Sequence, residues 1–319
     1  MKNFLLFFLS LIIPFSLFSQ SPSVIPENIS AEEMQVNVYW NYIKKLPINE
    51  RPRIILVLGG GGARGLAHIG VIRVFEEEGI FIDEISGVSV GSLIGSLYAA
   101  GLPVNEIETM ANDIGWNKLT DYSKASFMRM LLTEELLSTA PMEAYLKKHI
   151  GNKFFSELEI PFSCVATDIR TGEKIVFKEG PVAIAARASA TIPALFKPVQ
   201  YRQRLLVDGG LVDNLPTDIA LPQKDWDVVV GVLPITNNNA VEPTSIFGSL
   251  IRSIDIQKDV ILSNKKRTAD VMIEPPIENI RIVDLNKSAD LIRMGTLAAR
   301  KMTLDIKKAV IRNYLSRKS

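Results

Sequence analysis

The stretch IILVLGGGGARG, residues 54–65, decides the fold that this sequence can adopt. Its first five residues are apolar without alternation, which is typical of a strand buried on both faces of a parallel sheet. Four glycines follow directly, and apolar residues at helical spacing from Ala67 to Gly79 then predict a helix that ends at a glycine. A buried strand, a glycine turn and a helix in direct succession predict the first unit of an α/β fold.

The same succession of elements continues beyond this unit. Residues 80–88 predict a second strand, and residues 92–101 predict a second helix that also ends at a glycine. Strands that alternate with helices favour a parallel sheet covered by helices. Further patterns predict strands at 161–165, 174–177, 205–207 and 227–233, and helices at 182–189 and 291–314. We therefore expect an α/β fold with a parallel sheet.

The N-terminus has the composition of a targeting signal. Lys2 precedes a run from Phe4 to Phe18 that is apolar apart from two serines and contains Pro14. A helix needs roughly 20 apolar residues to cross a bilayer, and this run is shorter. We interpret residues 1–19 as a secretory signal peptide cleaved near Ser19, with an uncleaved membrane anchor as the alternative. Export predicts a location in the periplasm or cell envelope.

The remaining chain is expected to contain one globular domain. Residues 20–53 are polar and rich in proline, and we interpret them as a linker or N-terminal extension with one short helix at 31–43. The domain itself is predicted over residues 54–319, with its core motifs in 54–233. No internal repeat interrupts this region.

The composition excludes several classes of protein. Apolar residues make up 47% and charged residues 22% of the 319 residues, which excludes a disordered chain. Lys and Arg number 36 against 35 Asp and Glu, so no basic excess points to nucleic-acid binding. The one cysteine, Cys164, cannot form an internal disulfide or a cysteine-based metal site, and only His68 and His149 are histidines. We therefore predict no metal site.

The glycine loop at residues 59–65 is suited to holding a negative charge. Glycines let the backbone approach a ligand closely, and a helix start presents unpaired N–H groups to a phosphate or an oxyanion. The loop also fits the dinucleotide fingerprint, which needs an acidic residue about 20 residues further on. Asp83 and Glu84 lie at that distance, but before the end of the second strand. Arg64 is expected to contact a substrate phosphate or to close the helix start with a salt bridge.

The pentapeptide GVSVG, residues 87–91, fits the nucleophile-elbow pattern G-x-S-x-G. It lies where a predicted strand meets a predicted helix, which is the context that this motif needs. Gly87 and Gly91 allow a sharp turn that exposes Ser89 at the N-terminus of the next helix. The alternative is a buried serine that caps the helix.

A serine nucleophile needs a base, and three side chains are candidates. His149 lies in a lysine-rich helical stretch and is expected at the surface, while His68 is expected to pack within its helix. Asp208 ends an apolar strand and precedes Gly209 and Gly210, a position where active-site loops of α/β sheets lie. A simple Asx turn is the alternative interpretation of Asp208.

Taken in order, the glycine loop, the G-x-S-x-G elbow and the Asp-Gly-Gly turn resemble the patatin-like phospholipase family. The similarity is greatest to bacterial members related to the neuropathy-target-esterase branch. Four intervening segments agree with this resemblance: GLAHIG (65–70), VATD (165–168), ASATIP (188–193) and DGGLVDNLP (208–216). The resemblance runs from about residue 54 to residue 233.

This resemblance implies a three-layer α/β/α fold with a mainly parallel central sheet, and a hydrolase of fatty-acyl esters in (lyso)phospholipids or related lipids. It implies that Ser89 is the nucleophile and Asp208 its base, that His68 is not catalytic, and that no metal or organic cofactor is required. The implied oxyanion-hole loop consists of Gly60, Gly61, Gly62, Ala63, Arg64 and Gly65. The motif-supporting glycines are Gly87, Gly91, Gly209 and Gly210.

Two other functions remain open at this point. A nucleotide-binding oxidoreductase built on the glycine loop would leave Ser89 and Asp208 without a role. A catalytically silent lipid-binding or envelope module would keep the same fold. Peripheral membrane contact is expected with a lipid substrate, through residues 127–132 or the basic residues 312–318, although the first segment is also interpretable as core and the second as a solvated helix end.

Overall fold

The computed structural model describes residues 30–114, 116–121, 123, 136–219, 227–235, 249, 252–253, 256–257, 262, 265–278, 280 and 284–318. Within these ranges the chain forms one mixed sheet with helices packed against it. None of the helices in them is both long and apolar enough to cross a membrane. The predicted signal peptide at 1–19 and the segment 127–132 lie outside the described residues.

The sheet and its flanking helices alternate along the chain. The strands are β1 (Ile54–Leu58), β2 (Glu84–Val88), β3 (Phe162–Asp168), β4 (Lys174–Phe177), β5 (Val199–Tyr201), β6 (Arg204–Asp208), β7 (Val228–Val232) and β8 (Val271–Ile273). The helices are α1 (Ala31–Ile43), α2 (Ala67–Glu77), α3 (Val90–Ala99), α4 (Val104–Asn112), α5 (Trp116–Leu119), α6 (Ala140–Ile150), α7 (Val182–Ser189) and α8 (Ser288–Lys318).

The strands lie in the order β5-β6-β3-β2-β1-β7-β8, and β4 also pairs with β3. The central pairings β3-β2, β2-β1, β1-β7 and β7-β8 are parallel. Strands β4 and β6 run antiparallel to β3, and β5 runs antiparallel to β6. This arrangement confirms the predicted α/β fold with a mainly parallel central sheet.

Successive residues of β1 face two separate apolar clusters, which explains why the strand shows no alternation in sequence. All five of its residues are buried. Leu56 packs in a large cluster that includes side chains of α1, α2, α3, α4 and α8. Val57 belongs to a smaller cluster that includes Leu215 and Leu262. Because adjacent side chains of a strand point to opposite faces, the sheet is covered on both sides.

Helices α2 and α8 approach so closely that their contact requires glycine. A Cβ atom added to Gly295 would lie 1.9 Å from the carbonyl oxygen of Ala67, and one added to Gly70 would lie 2.0 Å from that of Ile292. The backbones therefore touch at the start of α2, directly after the glycine loop. This contact fixes the position of the helix that follows the loop.

Helix α1 packs on the domain, although it lies in the segment interpreted as an N-terminal extension. The predicted helix at 31–43 is confirmed. Its Trp40 and Ile43 are buried, and the Trp40 ring stacks on Phe81 with ring centroids 5.3 Å apart. One face of α1, with Val36, Trp40 and Ile43, is therefore part of the main apolar core.

The largest differences between predicted and observed boundaries concern β2 and α8. The strand predicted over 80–88 begins only at Glu84, because Asp83 accepts the N–H of Ile54 at 2.8 Å and pairs with Arg51 at 2.8 Å. This carboxylate holds the connection before the strand, so apolar residues there do not enter the sheet. The helix predicted over 291–314 extends over Ser288–Lys318, and β5 and β8 were not predicted.

Candidate active site

The register of β3 brings the C-terminal ends of β2 and β6 together. Val165 of β3 is paired with Val88, the last residue of β2. The next residue, Ala166, is paired with Asp208, the last residue of β6. Because β2 is parallel and β6 antiparallel to β3, the two strands point toward each other at this position. The residue after β2, Ser89, therefore meets the end of β6.

Ser89 occupies a sharp turn between β2 and α3. Its φ of 56° and ψ of −129° are unusual for a residue with a side chain. Such a conformation costs on the order of 1–3 kcal/mol and persists only when its surroundings hold it. The flanking glycines permit the turn, since a Cβ on Gly91 would lie 2.2 Å from the Leu58 carbonyl oxygen and one on Gly87 would lie 2.7 Å from the Gly91 oxygen.

The carboxylate of Asp208 divides its two oxygens between two partners. Ser89 Oγ donates to Oδ2 over 2.6 Å, and the N–H of Gly210 donates to Oδ1 over 2.8 Å. The second bond is the Asx turn expected from the Asp-Gly-Gly sequence, and the first is a contact with the serine, so the two contacts occur together. Ser89 is 5% and Asp208 3% exposed. A Cβ on Gly209 would lie 2.2 Å from the Val165 oxygen, so this position also requires glycine.

The end of α7 holds the backbone of both residues. The N–H of Ser89 donates to Ser189 Oγ over 3.0 Å, and the N–H of Asp208 donates to the carbonyl oxygen of Thr191 over 2.7 Å. Arg187 anchors this segment through bonds to Thr139 and to Glu143. The segment ASATIP resembled the family, but the residue types alone gave no signal that Ser189 and Thr191 position the site.

The glycine loop borders Ser89 and leaves N–H groups available. A Cβ on Gly60 would lie 3.2 Å from Ser89 Cβ. Gly59 and Gly60 donate their N–H groups to the carbonyls of Val232 and Asn214. A short 3₁₀ helix begins at Gly62, and within the described residues the N–H groups of Gly61 and Gly62 donate to no backbone carbonyl. Donors of this kind are suited to an oxyanion.

The other residues of the loop have structural contacts. Arg64 donates its Nε–H to the carbonyl oxygen of Ile280 over 2.8 Å, which directs part of the guanidinium to the backbone before α8. Ala63 and Gly65 are buried, and a Cβ on Gly65 would lie 2.0 Å from Val90 Cγ1. This loop therefore packs directly against the first residue of α3.

The acidic residues that a dinucleotide site would need lie at the wrong end of the sheet. Asp83 is bonded to the N–H of Ile54, at the start of β1, whereas the glycine loop follows the end of β1. Glu84 is the first residue of β2 and is paired with Ile55. A ribose contact from these residues to the glycine loop is therefore not supported.

His68 supports the glycine loop through a hydrogen bond to its first residue, Gly59. Its side chain is fully buried, and its Nε2–H donates to the carbonyl oxygen of Gly59 over 2.8 Å. Burial lowers the pKa of the His68 imidazole to about 4, so the ring is neutral near pH 7. His149 is partly exposed and its ring contacts Tyr145, with centroids 4.7 Å apart. The bonded partner of the Ser89 hydroxyl is Asp208 rather than a histidine.

A metal cluster was not expected from the composition. In the ranges that the structure describes, no three His, Cys, Asp or Glu side chains are grouped in a way that would hold a metal ion.

The buried imidazole of His68 predicts a pH dependence of stability. Its pKa lies at about 4 in the folded protein, below the ordinary value of about 6.5. Between these values the unfolded chain gains a proton that the folded protein does not, so the free energy of unfolding falls as the pH falls, by about 2–3 kcal/mol from pH 7 to 4.5. Urea unfolding of the wild type and His68→Gln at both pH values measures this. The same pH dependence in both proteins would contradict the prediction.

Ser189→Ala is expected to destabilise the protein because it removes the acceptor of the buried Ser89 N–H. An unsatisfied buried N–H costs about 1–3 kcal/mol. Ser96→Ala is the matched control, because the Ser96 hydroxyl donates to the helical carbonyl of Leu93 and its removal leaves no N–H unpaired. Urea denaturation compares the two variants, and an equal loss of stability in both would show that Ser189 has no special role at the turn.

The glycine loop, the elbow and the Asp-Gly-Gly turn lie in a region of the chain that is similar to known proteins. The patatin-like phospholipase family pattern matches residues 56–221. A patatin-like phospholipase domain-containing protein of Caenorhabditis elegans is 36% identical over 84% of this chain and 22% of its own length. The lysophospholipase NTE1 of Candida glabrata is 29% identical over 75% of this chain and 15% of its own length. Human group IVD cytosolic phospholipase A2 has a TM-score of 0.47 at 11% identity, covering 90% of this chain and 65% of that chain.

The chain spans less than half the length of the curated relatives named here, which contain further sequence. The match to the family pattern nevertheless covers just over half of the present chain. It includes the glycine loop, Ser89 and Asp208. The chain therefore belongs to the patatin-like phospholipase family.

Proposed function

We propose that this chain is a serine acyl hydrolase that cleaves fatty-acyl ester bonds of (lyso)phospholipids or related lipids. The observation that carries the proposal is the 2.6 Å hydrogen bond from Ser89 Oγ to Asp208 Oδ2 in a buried site. Family membership and the names of the relatives, a patatin-like phospholipase domain protein and a lysophospholipase, support a lipid ester as substrate.

In the first half of the reaction, Ser89 Oγ attacks the acyl carbonyl carbon and its proton passes to Asp208 Oδ2. The carbonyl π electrons move to the oxygen, which becomes negatively charged. The alcohol then leaves with the proton from Asp208, and the acyl group stays on Ser89 as an ester. General acid–base catalysis of this kind contributes roughly 10²–10⁴-fold to a rate.

The second half repeats the same steps with water. Asp208 accepts a proton from water as its oxygen attacks the acyl-enzyme, and the proton then returns to Ser89 Oγ as the fatty acid leaves. The Gly210 N–H keeps Oδ1 of Asp208 occupied. Oδ2 is therefore the oxygen that exchanges the proton in both halves.

The glycine loop is assigned to the negative charge that develops on the carbonyl oxygen. Gly60 borders Ser89, and the next N–H groups, those of Gly61 and Gly62, lie at the start of a 3₁₀ helix. Removal of one oxyanion donor in a hydrolase costs about 10²–10³ in kcat. Gly65 lets the loop pack on α3, which fixes its distance to the serine.

The lipid substrate requires peripheral contact with a membrane or micelle, and we include this contact in the proposal. The basic end of α8, residues 312–318, carries exposed cationic side chains, Arg312 and Lys318 among them, that are suited to anionic lipid.

Fluorophosphonate labelling tests the proposed nucleophile and base. We expect a single adduct on the wild type by intact mass, no adduct on Ser89→Ala, and labelling slowed at least 10²-fold in Asp208→Asn, because the asparagine cannot accept the proton. Asp168→Asn is the matched control, since Asp168 is a buried carboxylate at the end of β3 that pairs with Arg204. It should retain wild-type labelling.

Measuring the rates of hydrolysis of lysophosphatidylcholine, phosphatidylcholine and triacylglycerol then identifies which ester the protein cleaves. An adduct that persists in Ser89→Ala would place the nucleophile elsewhere. A folded wild type without adduct or turnover, in detergent and on lipid vesicles alike, would favour a silent lipid-binding module.

We further propose that the protein is exported through residues 1–19 to the periplasm or cell envelope. Expression in a Gram-negative host with intact-mass analysis of the purified protein tests this. The expected mature chain begins near Gln20, whereas a mass that includes Met1 would contradict cleavage. Replacement of Leu11 by Arg within the apolar run should block export and leave the full-length chain in the cytoplasmic fraction.

A further inference from the structure

Asn214 is a buried polar residue beside the candidate active site, and the reaction as described above does not use it. It lies in the loop that follows Asp208 and is 9% exposed. Its carbonyl oxygen accepts the N–H of Gly60 over 3.2 Å. Its side-chain Oδ1 is buried and has no hydrogen-bond partner among the residues that the structure describes.

The side-chain amide points at the place where the serine and the glycine loop meet. A Cβ atom on Gly60 would lie 2.4 Å from Asn214 Oδ1 and 3.2 Å from Ser89 Cβ. The amide and the serine therefore flank the same point of the loop. Only a glycine leaves this space open, which gives Gly60 a second reason to lack a side chain.

A network of charges fixes the backbone that carries the amide. The carboxylate of the preceding residue, Asp213, accepts from Lys174 Nζ over 3.1 Å and from Lys265 Nζ over 3.0 Å. Both lysines also pair with Asp218. The N–H of Asp213 donates to the carbonyl of Gly209 over 2.9 Å. The backbone that carries the Asn214 side chain is thus held on both sides of this residue.

A buried amide oxygen without a partner is costly, so its position beside a nucleophile needs an explanation. Leaving such a group without a hydrogen bond costs about 1–3 kcal/mol. The oxygen and nitrogen of an asparagine amide occupy nearly equivalent positions, and a half-turn exchanges them. With the nitrogen at the position next to Gly60, the amide offers an N–H donor to an oxygen bound between the loop and Ser89.

We propose that the side-chain N–H of Asn214 is a further donor to the acyl carbonyl oxygen, next to the N–H groups of Gly61 and Gly62. This inference rests on the proposed acyl hydrolase function. As Ser89 Oγ bonds to the carbonyl carbon, the π electron pair moves to the oxygen and the serine proton moves to Asp208. The Asn214 N–H then donates to the resulting oxyanion, and no further reactant is needed.

Three variants separate this role from a structural one. Asn214→Asp keeps the shape of the side chain but removes the donor, Asn214→Ala removes the amide, and Asn214→His restores an N–H donor. All three keep the backbone carbonyl that holds Gly60. Asn105→Ala is the matched control, because the Asn105 amide oxygen accepts the N–H of Glu106 at the exposed start of α4.

The measurement is steady-state hydrolysis of the ester identified with the wild type, with kcat and KM determined separately, together with urea unfolding of each variant. We expect kcat to fall about 10²–10³-fold in Asn214→Asp and Asn214→Ala, because a donor that acts in the transition state affects kcat and leaves KM within about 3-fold. Asn214→His should regain part of kcat, and Asn105→Ala should match the wild type.

Several outcomes would overturn the inference. A folded Asn214→Asp with kcat close to the wild type, or a rise in KM at constant kcat, would show that the amide is not an oxyanion donor. Unfolding of both Asn214→Asp and Asn214→Ala would show that the amide is structural. An inactive wild type that also lacks a fluorophosphonate adduct would overturn the proposed function itself, and this inference with it.

Discussion

The structure depends on the way strand β3 changes partners along its length. Residues 162–165 pair with β2 in parallel, and residues 166–168 pair with β6 in antiparallel. The two partner strands therefore end facing each other, and a hydrogen bond of 2.6 Å joins Ser89 to Asp208. A purely parallel sheet would place the ends of neighbouring strands side by side. The antiparallel β6 is what turns a carboxylate toward the elbow.

In the proposed mechanism, this arrangement lets an aspartate act in a position where a histidine is common. A base must be held by a further group so that it presents one atom to the nucleophile. The carboxylate has two oxygens, and its own Asx turn to Gly210 holds one of them. Asp208 therefore forms the turn and is also the proposed base. His68, the histidine nearest in sequence to the motifs, is instead bonded to Gly59 and supports the loop.

Much of the fold and the motif positions could be predicted from sequence because they depend on local rules. A continuous apolar strand such as β1 predicts burial on both faces, and the glycines at 87 and 91 predict a sharp turn at Ser89. The contacts that hold the site were not predictable in this way. Ser189 and Thr191 lie about 100 residues from Ser89 in the chain, and nothing in a small-residue helix shows that its last hydroxyl accepts the N–H of a strained serine. The short strands β5 and β8, with three residues each, are too brief for periodicity to show.

The loop after Asp208 connects the two halves of the site, and this connection follows from physical constraints on both. Ser89 is strained, so it needs bonds from several directions, and the four glycines at 59–62 have no side chains with which to fix their own position. The segment from Asp208 to Asn214 meets both needs: its first residue bonds the serine and its last receives the N–H of Gly60. The charges on Asp213, Lys174 and Lys265 then anchor that segment to β4 and to the chain before β8. Asp208 and the glycine loop are therefore positioned by one short piece of chain, so a shift of either would move the other.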